Sequence, residues 1–214
     1  MSRVKSLIVA TALLLVLAVS GVWADAYSGG AFGNLTTART VGMGKGFWAV
    51  GVGVADATSF FGSFTYGMSN SFDGRVKFGF VDRFDDTEVS IGFDVKYQML
   101  VHGGASNNPF DMALGGLFEH VDYGNASVMQ IGFLATGSYP FAMSNGRALS
   151  PYVRANVRIE DKNHDLRTDR DTSDLELGLN AGVHYELSKN VGLYGEFQID
   201  GNDGLFFGLD FNVL

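Results

Sequence analysis

Two clusters of acidic and histidine residues are the strongest candidates for chemistry in this sequence. Asp85 and Asp86 are adjacent in one polar segment, and His164 and Asp165 are adjacent in another. A carboxylate can orient a histidine that acts as a general base, while paired acids hold a nucleophilic water. The four residues therefore allow a hydrolytic site as one hypothesis. Ordinary solvated loops are the other, because Asp is a frequent turn residue.

Residues 161–174 form a polar segment whose oxygen-bearing side chains suit a ligand or a calcium ion. Asp161, Asn163 and Asp165 alternate along it, and further aspartates follow. Calcium favours such carboxylate and amide oxygens, but a calcium loop also needs a glycine at its sixth position and a terminal glutamate, and both are missing here. The segment is therefore predicted to be a solvated loop, with calcium binding, adhesion or ligand binding through it as the alternative.

Other catalytic and cofactor signatures are missing from the sequence. The four histidines, at positions 102, 120, 164 and 184, lack metal-ligand spacing. The glycine-rich run at residues 42–46 precedes a strand pattern and does not open a helix, so it does not predict a phosphate loop. No Gly-x-Ser-x-Gly elbow is present. We therefore predict a protein that is not an enzyme and needs no metal or other cofactor.

Strict alternation of apolar and polar residues is the main structural signal. From Glu88 to Met99 and from Leu175 to Leu187, every second residue is apolar and the residues between are not. A period of two places the two sets on opposite faces of a strand. Shorter alternating segments fill the rest of the chain. We predict ten strands, or eight if two weaker segments fail, at residues 46–55, 59–68, 75–81, 88–99, 111–119, 127–139, 149–160, 175–187, 191–199 and 205–213.

The N-terminal region has the features of a secretory signal peptide. Arg3 and Lys5 give a positive start, an apolar stretch follows, and a small-x-small site ends at Ala24, so we expect export and cleavage near that residue. The formal net charge is −8 and becomes more negative once Arg3 and Lys5 are removed. A nucleic-acid partner is excluded, because it requires a basic face. The predicted division is a signal peptide at 1–24, an extended lead-in at 25–45 and one β domain at 46–214.

Two β architectures fit this alternation, a soluble sandwich and a closed transmembrane barrel. Three features favour the barrel. The polar faces are rich in glycine, as a narrow lumen requires; charges of both signs lie on those faces and could pair if enclosed; and most segments are long enough to cross a bilayer at a tilt. We therefore predict an all-β, antiparallel, up-and-down transmembrane barrel.

With these features the chain resembles small bacterial outer-membrane β-barrel proteins over residues 46–214. Phe207, Leu209 and Phe211 match their final strand, although Leu214 stands where an aromatic residue is expected. The resemblance implies a Gram-negative outer membrane, with outer-membrane lipid and the barrel assembly machinery as partners. A shorter segment, Ala38 to Gly44, is similar to the start of mature fatty-acid-transporter-type barrels.

Function is predicted from the polar faces. The protein is expected to be structural, or to pass small solutes through a narrow polar lumen. The alternative is a rim protease, since an Asp pair and an Asp–His pair also resemble omptin-type barrels. His184 is expected to be hydrogen-bonded inside the lumen, with a proton-gated constriction as its alternative role. The residues predicted to line the lumen are Arg75, Lys77, Glu88, Asp94, Lys96, Arg154, Arg158, Glu176, His184 and Glu186.

Overall fold

The computed structural model describes residues 30–83, 86–104, 107–122, 126–164 and 172–213. The signal-peptide prediction therefore lies outside the described residues. No helix in the described part of the chain is long and apolar enough to cross a membrane. The strands are β1 Gly46–Ala55, β2 Thr58–Gly67, β3 Phe72–Arg83, β4 Asp86–Leu100, β5 Asp111–Asp122, β6 Ala126–Ser138, β7 Phe141–Ala142, β8 Ala148–His164, β9 Thr172–Glu186, β10 Val191–Ile199 and β11 Gly204–Asn212.

Ten of these strands close into one antiparallel barrel. Each pairs with its neighbour in the chain, and the first strand, β1, pairs with the last, β11. The two-residue strand β7 pairs only with β8, so the ring continues from β6 directly to β8. Closure leaves no open edge of backbone donors and acceptors, which a bilayer does not tolerate. The predicted ten-stranded, up-and-down barrel is confirmed.

The two faces of the strands are reversed relative to a soluble protein. Outward-facing Phe133 and Leu177 are 75% and 74% exposed, whereas inward-facing Lys77 and Arg158 are 1% and 2% exposed. A soluble sandwich would bury the apolar residues and hydrate the charged ones. An apolar outer surface around a polar interior is the arrangement of a transmembrane barrel.

The two ends of the barrel differ in what they carry. At the base, β1 begins and β11 ends. At the top lie the turn between β1 and β2 and the turn between β10 and β11, which are tied together because the amide of Ala57 donates to the side-chain oxygen of Asn202 at 2.8 Å. The base also carries the longer connections, including residues 139–147 around the unpredicted β7.

The predicted loop at residues 161–174 is shorter than expected. Asp161 pairs with Ser173 in the ladder between β8 and β9, and only residues 165–171 lie outside the described part. Inward-facing Glu160 and Lys162 are almost fully buried here, so the alternation continues. The residues that face outward near the top ends of these strands are polar. The alternation of apolar and polar residues therefore does not mark the strands there. Asp161 and Asp174 therefore belong to strands, and the alternative of calcium, adhesion or ligand binding through the segment stays a prediction because residues 165–171 lie outside the described part.

Candidate functional site

The interior of the barrel is occupied by residues 30–41, which we call the lumen segment. It has no strand pairing of its own, and Ala31, Phe32, Asn34 and Leu35 are all at most 2% exposed. It runs from the top, where the amide of Gly30 donates to Asp200, to the base, where β1 begins. The sequence predicts an extended lead-in at residues 25–45 but gives no sign that part of it lies inside the barrel.

Acceptors on the barrel wall satisfy the backbone amides of the lumen segment. The amides of Asn34 and Leu35 donate to the two carboxylate oxygens of Glu196, at 2.6 Å and 3.0 Å. Those of Ala38 and Thr40 donate to the hydroxyl of Ser138 at 3.1 Å and the side-chain oxygen of Gln98 at 3.0 Å. A buried amide without a partner is costly. The wall thus supplies the hydrogen-bond partners of a segment that has no neighbouring strand.

Donors on the wall satisfy the carbonyl groups of the same segment. The ammonium of Lys96 donates to the carbonyls of Thr37 at 2.8 Å and Arg39 at 2.9 Å. At the top, the amides of Gln198 and Asn202 donate to the carbonyl of Gly30, at 2.8 Å and 3.0 Å. Charges of both signs in the lumen therefore match the alternating donors and acceptors of one polypeptide backbone.

Asn34 is the residue of the lumen segment that the wall contacts most extensively. The guanidinium of Arg75 donates to its carbonyl, and its side-chain oxygen accepts from Arg154 at 2.6 Å and from Arg75 at 3.3 Å. With its amide bound to Glu196, Asn34 connects wall groups on both sides of the lumen. Asn34 therefore anchors the lumen segment to the wall.

Charged residues of the wall also form ion pairs with one another. Arg75 contacts Asp94 through two nitrogens, at 3.0 Å and 2.6 Å. Lys77 pairs with Glu119 and lies 3.6 Å from Asp94. Breaking such a buried pair by removing one partner is strongly destabilising, because the other charge stays buried.

A second network lies higher in the barrel. The guanidinium of Arg158 contacts Glu160 at 2.7 Å and Asp200 at 3.6 Å. Asp200 lies in the top turn, outside the strands. Burial raises the pKa of its carboxyl to about 6, against the opposing effects of Arg158 and of the amides of Gly30 and Asn202.

Apolar side chains pack the top of the lumen. Phe32 of the lumen segment stacks against Phe61 with ring centroids 5.3 Å apart, and Phe206 is fully buried beside them. Phe61 departs from the outward apolar pattern of its strand because it faces inward. The other members of this cluster near the top are Ala57, Val81, Val121 and Val128. This part of the lumen is therefore packed with apolar side chains.

Glycines in the wall make room for the lumen segment. A Cβ on Gly51 would lie 2.9 Å from the Cδ1 of Leu35, and a Cβ on Gly208 would lie 2.5 Å from the same atom. Both distances are closer than normal van der Waals contact, so Leu35 fits only because these two positions carry no side chain. This explains part of the glycine content of the polar faces.

An aqueous cavity of about 540 Å³ opens at the base. Hydroxyl groups of the lumen segment, from Thr36 and Thr40, form part of its wall. On the opposite wall His184 lies 3.4 Å from Asp210 and stacks on Tyr194 at 4.3 Å. We call this cavity the base vestibule.

A much smaller cavity of about 10 Å³ lies between the lumen segment and the upper wall. Three of its lining residues carry a buried side-chain atom without a hydrogen-bond partner among the described residues: Glu119 Oε2, Arg154 Nε and Asn180 Oδ1. The volume is that of about one water molecule. One unpartnered donor and two unpartnered acceptors therefore belong to residues that line the same small space.

The predicted lumen residues fall into three groups. Arg75, Lys77, Asp94, Lys96, Arg154 and Arg158 are buried inside the barrel. Glu88 and Glu176 are half-buried on the upper wall, and His184 and Glu186 line the base vestibule. Their predicted role in conductance stays a prediction. The sequence missed Glu196, Gln98 and Ser138 as contacts of the lumen segment, although each lies on a predicted inner face.

The predicted hydrolytic residues are only partly covered by the structure. Asp85 and Asp165 lie outside the described residues. Asp86 begins β4 and His164 ends β8, both at the top, with the hairpin of β5 and β6 between them. Among the side chains that the structure describes, no group of three His, Asp or Glu residues could hold a metal ion.

Comparison with solved structures finds similar β-barrels at low sequence identity and low TM-score. A de novo designed transmembrane β-barrel is 16% identical over 80% of this chain and 97% of that chain, with a TM-score of 0.39. The N-terminal β-barrel domain of Pseudomonas aeruginosa OprF is 13% identical over 80% and 99%, at 0.39, and KdgM porin is 10% identical over 78% and 99%, at 0.40. No protein-family model and no curated protein matches the chain. The closed ladder of strand pairs is what establishes the fold.

Proposed function

We propose that this chain is a non-enzymatic outer-membrane barrel that passes small polar solutes only when its lumen segment moves aside. The observation that carries the proposal is that residues 30–41 run through the interior from top to base and are buried over residues 30–35. In this conformation they occupy the path that a solute would take, and an aqueous cavity opens at the base. The predicted signal peptide supports export to the outer membrane.

The nature of the contacts supports displacement of the segment. Most of them are hydrogen bonds to charged or amide side chains of the wall, such as Glu196 and Lys96, which water could replace in an open lumen. Each hydrogen bond contributes only about 0.5–3 kcal/mol net, because it exchanges with water. The apolar contacts of the segment are concentrated at Phe32 and Leu35. The segment is therefore held by many separable contacts.

Conductance in planar bilayers tests the proposal. The chain contains no cysteine, so a single engineered pair can lock the segment. Ala38→Cys with Ser138→Cys joins two positions whose backbone amide and hydroxyl lie 3.1 Å apart. Asn34→Ala in the same chain removes the side-chain contact to Arg154 and should raise the frequency of openings when the pair is reduced. Oxidation should then abolish those openings.

The matched controls are the Asn34→Ala variants that carry only one of the two cysteines, whose openings should not respond to oxidant. If neither the reduced Asn34→Ala variant nor a Leu35→Ala variant conducts more than the unmodified protein, the lumen segment does not leave the lumen and the barrel is structural. If openings persist in the oxidised pair, solutes do not pass along the lumen segment.

A further inference from the structure

We propose that the lumen is a receptor for a single peptide chain, so that the solute class of the barrel is oligopeptides. This inference rests on the proposed function, since an external peptide can enter only where the lumen segment has left. It goes beyond that function by naming the chemistry that the wall recognises.

The first argument is that the wall binds the backbone of its occupant. The amides of Asn34 and Leu35 and the carbonyls of Thr37 and Arg39 all contact charged wall groups. The amide of Thr40 donates to the uncharged side-chain amide oxygen of Gln98. These groups are present in any polypeptide with unmodified amides at these positions. A wall that satisfies them is matched to a class of molecule and not to one sequence.

The second argument is the size of the bore. The lumen segment is a single chain without strand or helix, with Leu35 in the left-handed region at a φ of +39°, and it fills its part of the interior so closely that Leu35 requires glycine at positions 51 and 208. Its other side chains are mostly small, with Gly33 packed against Phe206. This part of the bore therefore admits one polypeptide chain.

The third argument concerns the spacing of the wall groups. A monosaccharide or a simple ion would contact only a few of them and leave the rest to water, so it would gain only a few hydrogen bonds. A peptide along the lumen presents a donor and an acceptor at every residue other than proline. It can therefore bind the carboxylate of Glu196 and the ammonium of Lys96 at the same time, as the lumen segment does.

Two side-chain positions give the receptor a preference. Phe32 packs on Phe61, and Leu35 fits over the two wall glycines. Between them Asn34 is bound through its side chain by Arg154. We therefore infer a preferred pattern of an aromatic residue, glycine, asparagine and an aliphatic residue, because a Cβ at Gly33 would lie 2.8 Å from Phe206, while exposed positions such as Arg39 vary freely.

A peptide-exchange experiment tests this inference on a barrel that has already folded with its own segment. A protease recognition sequence is inserted after Met43, which is 69% exposed at the base, and the folded protein in detergent is cut there. Two synthetic peptides covering residues 30–41 are then offered together in equal excess, one natural and one N-methylated at Asn34 and Leu35. Native mass spectrometry measures their ratio in the lumen, and a third peptide keeps only the buried residues 30–35 and Ala38 and changes the others.

The natural peptide should be bound in preference to the N-methylated one by at least about tenfold, since two hydrogen bonds to a carboxylate are lost. The third peptide should compete within about threefold of the natural one. In a cut Glu196→Gln barrel the discrimination against N-methylation should shrink.

Equal occupancy by the natural and N-methylated peptides would overturn the inference, because recognition would then not involve the backbone. Failure of the third peptide to bind would overturn it too, because the wall would then read one sequence only. A cut barrel that conducts ions but exchanges no peptide would refute the peptide receptor while leaving the gated passage intact. A barrel that neither conducts nor exchanges would contradict both.

Discussion

Replacing Glu196 with glutamine is the most direct way to test how the lumen segment is held. One carboxylate oxygen accepts from the amide of Asn34 at 2.6 Å and from the side-chain amide of Asn180 at 2.9 Å. The other accepts from the amide of Leu35 at 3.0 Å and from the hydroxyl of Tyr152 at 2.6 Å. All four donors converge on one buried side chain.

The magnitude follows from the fixed direction of the two backbone amides. Glutamine has nearly the same shape as glutamate, but one of its two terminal atoms is a donor. Whichever way the new amide lies, its NH₂ group faces the backbone amide of either Asn34 or Leu35, which cannot rotate away. A lost hydrogen bond to a charged group costs about 1.5–3 kcal/mol, and the remaining one weakens. We expect Glu196→Gln to lower the free energy of unfolding by about 2–4 kcal/mol.

Urea unfolding from lipid vesicles, followed by the fluorescence of outward-facing Trp48, measures this change. The matched control is Glu186→Gln, which makes the same chemical change at an exposed position of the base vestibule and should cost less than about 1 kcal/mol. If Glu196→Gln costs no more than Glu186→Gln, the carboxylate of Glu196 does not hold the lumen segment, and the argument for a backbone-binding wall is wrong.

Four further predictions concern other parts of the barrel. Gly208→Ala should cost about 1–3 kcal/mol by crowding Leu35, and the cost should fall when Leu35→Ala is added, as a double-mutant cycle in urea will show. Phe133→Arg should cost about 2–4 kcal/mol if this residue lies near the bilayer midplane, measured as unfolding from vesicles against Phe133→Leu. Because the pKa of the Asp200 carboxyl is raised to about 6, the folded protein binds this proton more tightly than the unfolded chain does. The free energy of unfolding should therefore be highest below about pH 4 and decline as the pH rises through 6, and Asp200→Asn should flatten this decline. A high-resolution crystal structure should show one water joining Glu119, Arg154 and Asn180 in the small upper cavity.

The sequence predicted the barrel wall well because a strand leaves a signal in every second residue. The alternation from Glu88 to Met99 and from Leu175 to Leu187 fixed which side chains face inward, and β4 and β9 contain most of both segments. Charges of both signs on those inner faces indicated an enclosed polar interior. The structure gives that interior the ion pairs of Arg75 and Arg158.

Prediction failed where the signal is not periodic. Residues 161–164 and 172–174 were predicted as loop but belong to β8 and β9. The strands extend here beyond the apolar band, so both of their faces are polar, as at Asp161 and Lys162. Nothing in the sequence distinguishes Glu196 and Gln98 from the other polar residues that face inward. Their partners are backbone groups of a segment far away in the chain, and backbone groups are the same in every sequence.

The amino-acid order by itself therefore determined the strands, their two faces and the closed barrel, because these follow from local alternation and from the need to satisfy every backbone group in a bilayer. Only the tertiary structure showed that residues 30–41 fill the lumen. That placement depends on contacts between positions more than 150 residues apart, such as Asn34 with Glu196. It depends as well on wall glycines that leave space for Leu35, and neither property has a local pattern in the sequence.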